Sequence, residues 1–309
     1  MRILFYNADN QHDDIWLSNL RAVLPQADIR TWHAGDHEPA DYAVVWRPPA
    51  AVLQERAGLK AVFNLGAGVD AILQLGALPA SLPLIRIDDG GMAIQMAEYA
   101  THAVLRYFRR FDDYERLADK STWEQLTPFD KPDFGVGILG IGVLGTRIAG
   151  SLLHFGFPVH SWSRTAKDTP GVKSYAGVQQ LDDFLAASRV LICMLPLTPE
   201  TSGILNRSTL SKLPRGSYLI NVARGGHLVE ADLLALIHEG HIAGATLDVF
   251  GEEPLPPAHP FWQEPRISIT PHISALTVRA EAARQVGGKI AALERGEVVA
   301  GTIDRTKGY

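Results

Sequence analysis

The stretch "GVGILGIGVLGTRIAGSLLHFG", residues 135–156, decides the fold of this chain. It opens as a short apolar run, passes through glycines spaced Gly140-x-Gly142-x-x-Gly145, and continues with helical spacing. Each glycine meets a separate need. Gly140 permits a tight turn, Gly142 lets a pyrophosphate approach the backbone, and Gly145 lets helix and strand pack closely. The free N–H groups and the dipole at the helix start, where Val143 and Leu144 lie, then hold phosphate. Three glycines alone are a weak sign. A second apolar run, "PVHSW" (158–162), follows at βαβ distance and makes dinucleotide binding the specific reading.

The residues just after that run choose between dinucleotides. An acid there would bind the ribose 2′-OH of NAD and repel a 2′-phosphate. No acid stands between Pro158 and Lys167; Ser163, Arg164 and Thr165 offer a cation and two hydroxyls instead. That set suits the extra phosphate of NADP(H). The reading is an NADP(H) preference that leaves NAD(H) open.

Outward from this unit, short apolar runs alternate with helical segments. "RILFY", "ADIRTW", "ADYAVVW", "LKAVFNLG" and "LPLIRID" read as strands, with "DDIWLSNLRAVLP" and "AAVLQERAG" as helices between them. "GVGILG", "PVHSW", "RVLICML", "SYLINVA", "GATLDVF" and "ISIT" read as a second set. Such alternation predicts an α/β protein with parallel sheets covered on both faces. Two long helical patterns, beginning at Met92 and at Ala275, are candidate crossings between the two units. The first thins in apolar residues after Phe111 and reads as an arm or connector.

Composition narrows the function classes. With 309 residues the chain is long enough for two domains. A net charge of −5 without a basic cluster speaks against a nucleic-acid partner. No apolar window approaches the ~18 residues of a membrane span, and the N-terminal run is too short for a signal peptide. A cytoplasmic protein is expected. The single cysteine, Cys193, excludes a disulfide framework and reads as buried filler. "HEGH" (238–241) has no third partner in register and is not read as a metal site.

Three later motifs bear chemistry, each after a strand. "LINVARGGHLVE" carries Arg224, "TLDVFGEEPLP" carries Glu253 and "SITPHIS" carries His272. Ligands of open α/β sheets bind beyond the carboxyl ends of the strands. Hydride transfer to a carbonyl leaves negative charge on oxygen, and an imidazole can supply the proton. Glu253 can hydrogen-bond the other ring nitrogen of His272, fixing its orientation and stabilising positive charge on it. Arg224 offers a planar fork to a carboxylate and can polarise the adjacent carbonyl. Together they call for a small α-keto acid.

The chain resembles the D-isomer-specific 2-hydroxyacid dehydrogenases over its whole length, and within them the reductases of glyoxylate and hydroxypyruvate. The resemblance rests on "NLGAGVD" (64–70), "GILGIGVLG" (137–145), "LPLTPETSGIL" (195–205), "LINVARGG" (219–226), "LDVFGEEPLP" (247–256) and "TPHIS" (270–274). It implies a flavodoxin-like substrate domain (1–97 with 274–309) and a Rossmann cofactor domain (98–273), with a cleft between them and a dimerisation arm at about 106–132. Arg224, Glu253 and His272 then match the catalytic residues. The loop Gly66, Ala67, Gly68 and Val69 matches the segment whose N–H groups hold the substrate carboxylate. Leu195, Pro196, Thr201, Val222, Ala223, Asp248 and Ser274 match the cofactor's surroundings. "VVWRPP" is similar too: Trp46 and Arg47 either shape a small polar pocket or, for Trp46, belong to the core. The implied protein is a homodimeric reductase of short 2-oxo acids. The alternative is a non-enzymatic nucleotide-sensing corepressor on the same fold, for which protein-binding tails beyond a terminus such as "IDRTKGY" are expected.

Overall fold

Every strand pairing among the described residues is parallel, save one isolated antiparallel bridge between Ile85 and Thr302. The computed structural model describes residues 1–54, 56, 58–76, 78–79 and 81–305. It divides the chain into two compact units, Met1–Met92 with Leu276–Tyr309, and Ala93–Ala275.

The first unit holds β1 (Arg2–Asn7), α1 (Asp13–Val23), β2 (Asp28–Thr31), β3 (Tyr42–Trp46), α2 (Ala50–Leu53), β4 (Ala61–Asn64), α3 (Asp70–Gln74) and β5 (Leu84–Arg86). Its sheet runs β2-β1-β3-β4-β5. Residues 42–45 and all of β4 are buried, as a strand covered on both faces requires. Two helices came out shorter than their sequence patterns. The run at 50–58 stops at Leu53, because Gln54 turns extended; Glu55 and Ala57 of that run lie outside the described residues. The closing helix begins at Arg279 rather than Ala275, since the Val278 N–H is spent on Gly90 O (2.8 Å).

The second unit opens at Ala93, the second residue of α4 (Met92–Phe108), and continues with α5 (Phe111–Asp119). The sequence periodicity predicts one helix over both. The structure breaks them at Arg110, which is left-handed at φ 59° and is held there by bonds from its guanidinium to Asp113 and to Thr127 O. Burial accounts for the break. Met96, Ala97, Ala100, Ala103 and Val104 of α4 pack into a core, whereas α5 buries none of its residues.

Then follow β6 (Val136–Leu139), α6 (Val143–His154), β7 (Val159–Ser163), β8 (Val172–Ala176), α7 (Leu181–Ala186), β9 (Val190–Cys193), α8 (Arg207–Leu210), β10 (Ser217–Asn221), α9 (Glu230–His238), β11 (Ile242–Leu247) and β12 (Ile267–Ile269). The order β12-β11-β10-β9-β6-β7-β8 reverses direction between β6 and β9. β8 is a strand that the apolar pattern did not announce. It is an edge strand in which only Tyr175 is buried, so it lacks the run that marks the others. Cys193 is fully buried at the end of β9, and burial pushes its thiol up to about 12. The chain returns to the first unit with α10 (Arg279–Glu294), where Gly287 lets α1 approach: an added Cβ would sit 3.1 Å from Val23.

Candidate active site

In a parallel sheet all loops that follow the strands leave at one edge. The turns after β6, β9, β10, β11 and β12 therefore share the carboxyl edge of the second unit, beside the β6–β9 reversal.

The glycine turn answers to three different constraints. Gly140 has φ +101° and its absent Cβ would lie 2.7 Å from Met194 O. At Gly145 a Cβ would stand 2.2 Å from Gly140 O, so only glycine lets α6 seat against the turn. At Gly142 a Cβ would meet nothing within 4 Å. That space is open, and Gly142 begins α6 without a side-chain cap. The turn fits the pyrophosphate of a dinucleotide, since open room and uncapped N–H groups coincide. Val143 is exposed and Leu144 half-buried in the first helical turn.

Beyond β7 the loop holds Arg164 and Thr165 exposed, while the Ser163 hydroxyl donates to Thr165 O (2.8 Å). Lys167 is not among the residues that the sequence singles out. Its ammonium donates to Ile141 O inside the glycine turn (3.1 Å), bringing a second cation to the same place as Arg164's loop. The signal available was its spacing, three residues after Arg164. On the next loop Leu195 is buried, and the Thr201 hydroxyl donates to Pro196 O (2.7 Å), which shapes that wall. The Thr198 hydroxyl, the local backbone and the Arg164 cation hold the exposed Glu200 carboxyl below its usual range.

Arg224 follows β10 on a turn built by buried Asn221, whose amide donates to Arg224 O (3.1 Å) and whose carbonyl accepts from Ala223 N (3.2 Å). Val222 and Ala223 are buried beneath it. Gly225 is dictated by contact: its Cβ would lie 1.9 Å from the Phe250 carbonyl carbon. That closeness brings the Arg224 turn against the loop that carries Glu253. Fully buried His227 puts Nδ1 3.0 Å from Arg224 O and Nε2 3.3 Å from Pro196 O, joining the turn to the cofactor-side wall.

Glu253 and His272 meet. Glu253 Oε1 accepts from Phe250 N (3.1 Å), and Oε2 lies 2.8 Å from His272 Nδ1. A carboxylate next to Nδ1 leaves Nε2 on the far side of the ring. His272 is left-handed at φ 56°, and Asp248 holds that shape. Asp248 O accepts from His272 N (2.9 Å), while its fully buried carboxylate accepts from Ile273 N and from Ser274 N (both 2.8 Å).

In the first unit, Asn64 donates to both Gly66 O and Gly68 O (2.8 Å each). A trans peptide points its C=O and N–H in opposite directions. The N–H groups of Ala67 and Val69 therefore face away from Asn64. The Trp46 ring abuts this loop, since a Cβ at Gly66 would sit 2.2 Å from its Cζ3, and the Arg47 guanidinium carbon lies 5.7 Å from the Trp46 ring centroid.

The histidines of "HEGH" have other partners: His238 lies 3.0 Å from Glu264 and His241 3.1 Å from Leu210 O. Among the described residues no three His, Cys, Asp or Glu side chains gather as a metal site. No helix among them is long and apolar enough to cross a membrane.

Residues 101–274 match the model of the D-isomer specific 2-hydroxyacid dehydrogenase, NAD binding domain. The chain belongs to the D-isomer-specific 2-hydroxyacid dehydrogenase family. One relative, the glyoxylate/hydroxypyruvate reductase A of Serratia proteamaculans, is 52% identical over the full length of both chains. Among solved members of the family, a D-isomer specific 2-hydroxyacid dehydrogenase from Xanthobacter autotrophicus, in complex with NADPH and MES, is 41% identical. It superposes with a TM-score of 0.95, covering 100% of this chain and 99% of that one. The NADPH-dependent glyoxylate/hydroxypyruvate reductase of Sinorhizobium meliloti, in complex with NADP and sulfate, is 34% identical with a TM-score of 0.93 at the same coverage.

Proposed function

We propose that this dehydrogenase is an NADPH-preferring reductase of small 2-oxo acids, taking glyoxylate to glycolate and hydroxypyruvate to D-glycerate. The observation that carries the reading is the 2.8 Å contact between Glu253 and His272, set on the same sheet edge as Arg224 and the glycine turn. The names and bound cofactors of the relatives support the substrate and the NADPH preference.

When bound, the reduced nicotinamide supplies the hydride that the carbonyl carbon accepts. Cationic His272 donates its Nε2 proton to the carbonyl oxygen as charge develops there. Glu253 accepts from Nδ1–H, so the ring keeps one orientation and its positive charge has a partner. Arg224 directs its guanidinium at the substrate carboxylate and the adjacent carbonyl. The Ala67 and Val69 N–H groups are assigned to the same carboxylate. Gly140, Gly142 and Gly145 seat the pyrophosphate, and Arg164 with Lys167 faces the 2′-phosphate. Asp248 and Ser274 would stand on the nicotinamide side.

Segment 106–132 is proposed as a homodimerisation arm, supported by exposed Phe111 and Trp123. A cytoplasmic location belongs to the same reading. The test is loss of NADPH absorbance on adding glyoxylate or hydroxypyruvate, compared with NADH. Turnover with NADPH well above that with NADH is expected; no oxidation of either cofactor with either acid would remove the assignment.

A further inference from the structure

We propose that Tyr99, on α4, is a positioning residue for His272, acting through Thr270 and Asp248; its catalytic consequence rests on the reductase reading above. The Tyr99 hydroxyl lies 2.6 Å from Thr270 Oγ1. Thr270 Oγ1 in turn donates to Asp248 Oδ1 at 2.5 Å. The direction of this relay follows from proton counting. A threonine hydroxyl has one proton, and a carboxylate can only accept. With that proton given to Asp248, the bond between the two hydroxyls needs Tyr99 as donor. Burial, foremost, pushes the Tyr99 phenol up to about 12, so it keeps its proton throughout the working range.

The relay ends on the peptides around His272. Asp248 Oδ1 also accepts from Ile273 N, Oδ2 accepts from Ser274 N, and Asp248 O accepts from His272 N. Residues 272–274 thus hang from one buried acid, and Thr270 fixes the rotamer of that acid. The clamp is needed because His272 sits at φ 56°, a left-handed conformation that a side chain with a Cβ disfavours. Hydrogen bonds in series polarise one another. Removing the first donor therefore loosens the last acceptor while leaving the Glu253–His272 contact chemically intact.

The experiment compares Tyr99→Phe, Thr270→Val and Thr270→Ser with the unsubstituted chain, by steady-state kinetics, NADPH binding and amide hydrogen exchange. For Tyr99→Phe, kcat falls about three- to tenfold while the keto-acid KM and the NADPH Kd change less than about twofold. Amides 272–274 exchange roughly tenfold faster, with β11 unchanged. Thr270→Val shows the larger effect, and Thr270→Ser restores both readouts. Unchanged exchange in Tyr99→Phe overturns the clamp. Faster exchange with an unchanged kcat overturns its link to His272. An inactive unsubstituted chain overturns the reductase reading, and the exchange comparison still decides the clamp.

Discussion

At His272 the left-handed backbone dictates which substitution is informative. Alanine would mix the loss of the imidazole with relaxation of the loop. Asparagine tolerates φ > 0 far better, so His272→Asn isolates the chemistry. It is expected to lower turnover by about 10²–10⁴, the range for one general acid. Near-normal turnover would take the histidine out of the mechanism. Arg164 stands exposed on the loop after β7. Replacing it with alanine removes a charge-assisted bond worth about 1.5–3 kcal/mol, so the NADPH-to-NADH preference should fall roughly tenfold or more. A preference that stays put would shift the 2′-phosphate to Lys167.

Among the elements, the turn between β6 and α6 separates folding from binding. Gly145→Ala drives a Cβ into the Gly140 carbonyl and should lower the melting temperature, whereas Gly142→Ala meets open space. The second variant is expected to keep its stability and still lose NADPH affinity, measured by titration. Equal melting losses in both would mean that Gly142 serves packing alone. The far edge of the sheet gives a pH prediction. Bonding from the Arg266 side chain, with His238 adding to it, holds the buried Glu264 carboxyl at about 2 against a usual 4.5. A carboxyl so lowered in the folded state adds stability above pH 4.5 and loses it as pH falls toward 2. Glu264→Gln should thus cost about 1.5–3 kcal/mol in urea unfolding at neutral pH, with the gap closing in acid. A gap that ignores pH would contradict the ion pairing.

Legibility in the sequence followed burial. Strands covered on both faces wrote themselves as apolar runs, and β8, open at the edge, did not. Arg224, Glu253 and His272 could be found because each lies on the loop that leaves a strand, and position in a parallel sheet is a matter of topology. The pairing of Glu253 with His272 was expected from chemistry, and its geometry agrees. Tyr99 stayed hidden, because its partner is 171 residues away and helical periodicity marks only which face is apolar. The break at Arg110 was hidden for a similar reason: α5 continues the helical spacing but has no core beneath it.

For the molecule as a whole, the chain leaves its first unit at Met92 and re-enters it at Leu276. The expected assembly is a homodimer through segment 106–132, where Phe111 and Trp123 stand 48% and 103% exposed. Phe111→Asp combined with Trp123→Ser should shift sedimentation toward the monomer while NADPH still binds. A sedimentation profile identical to that of the unsubstituted chain would move the interface elsewhere. The state of Cys193 has a practical sequel for such work. With its sulfur sealed inside β9 and poorly ionised, the natural chain already behaves as a blank background for maleimide chemistry. Fluorophores or spin labels can be attached at a single engineered thiol without first removing anything.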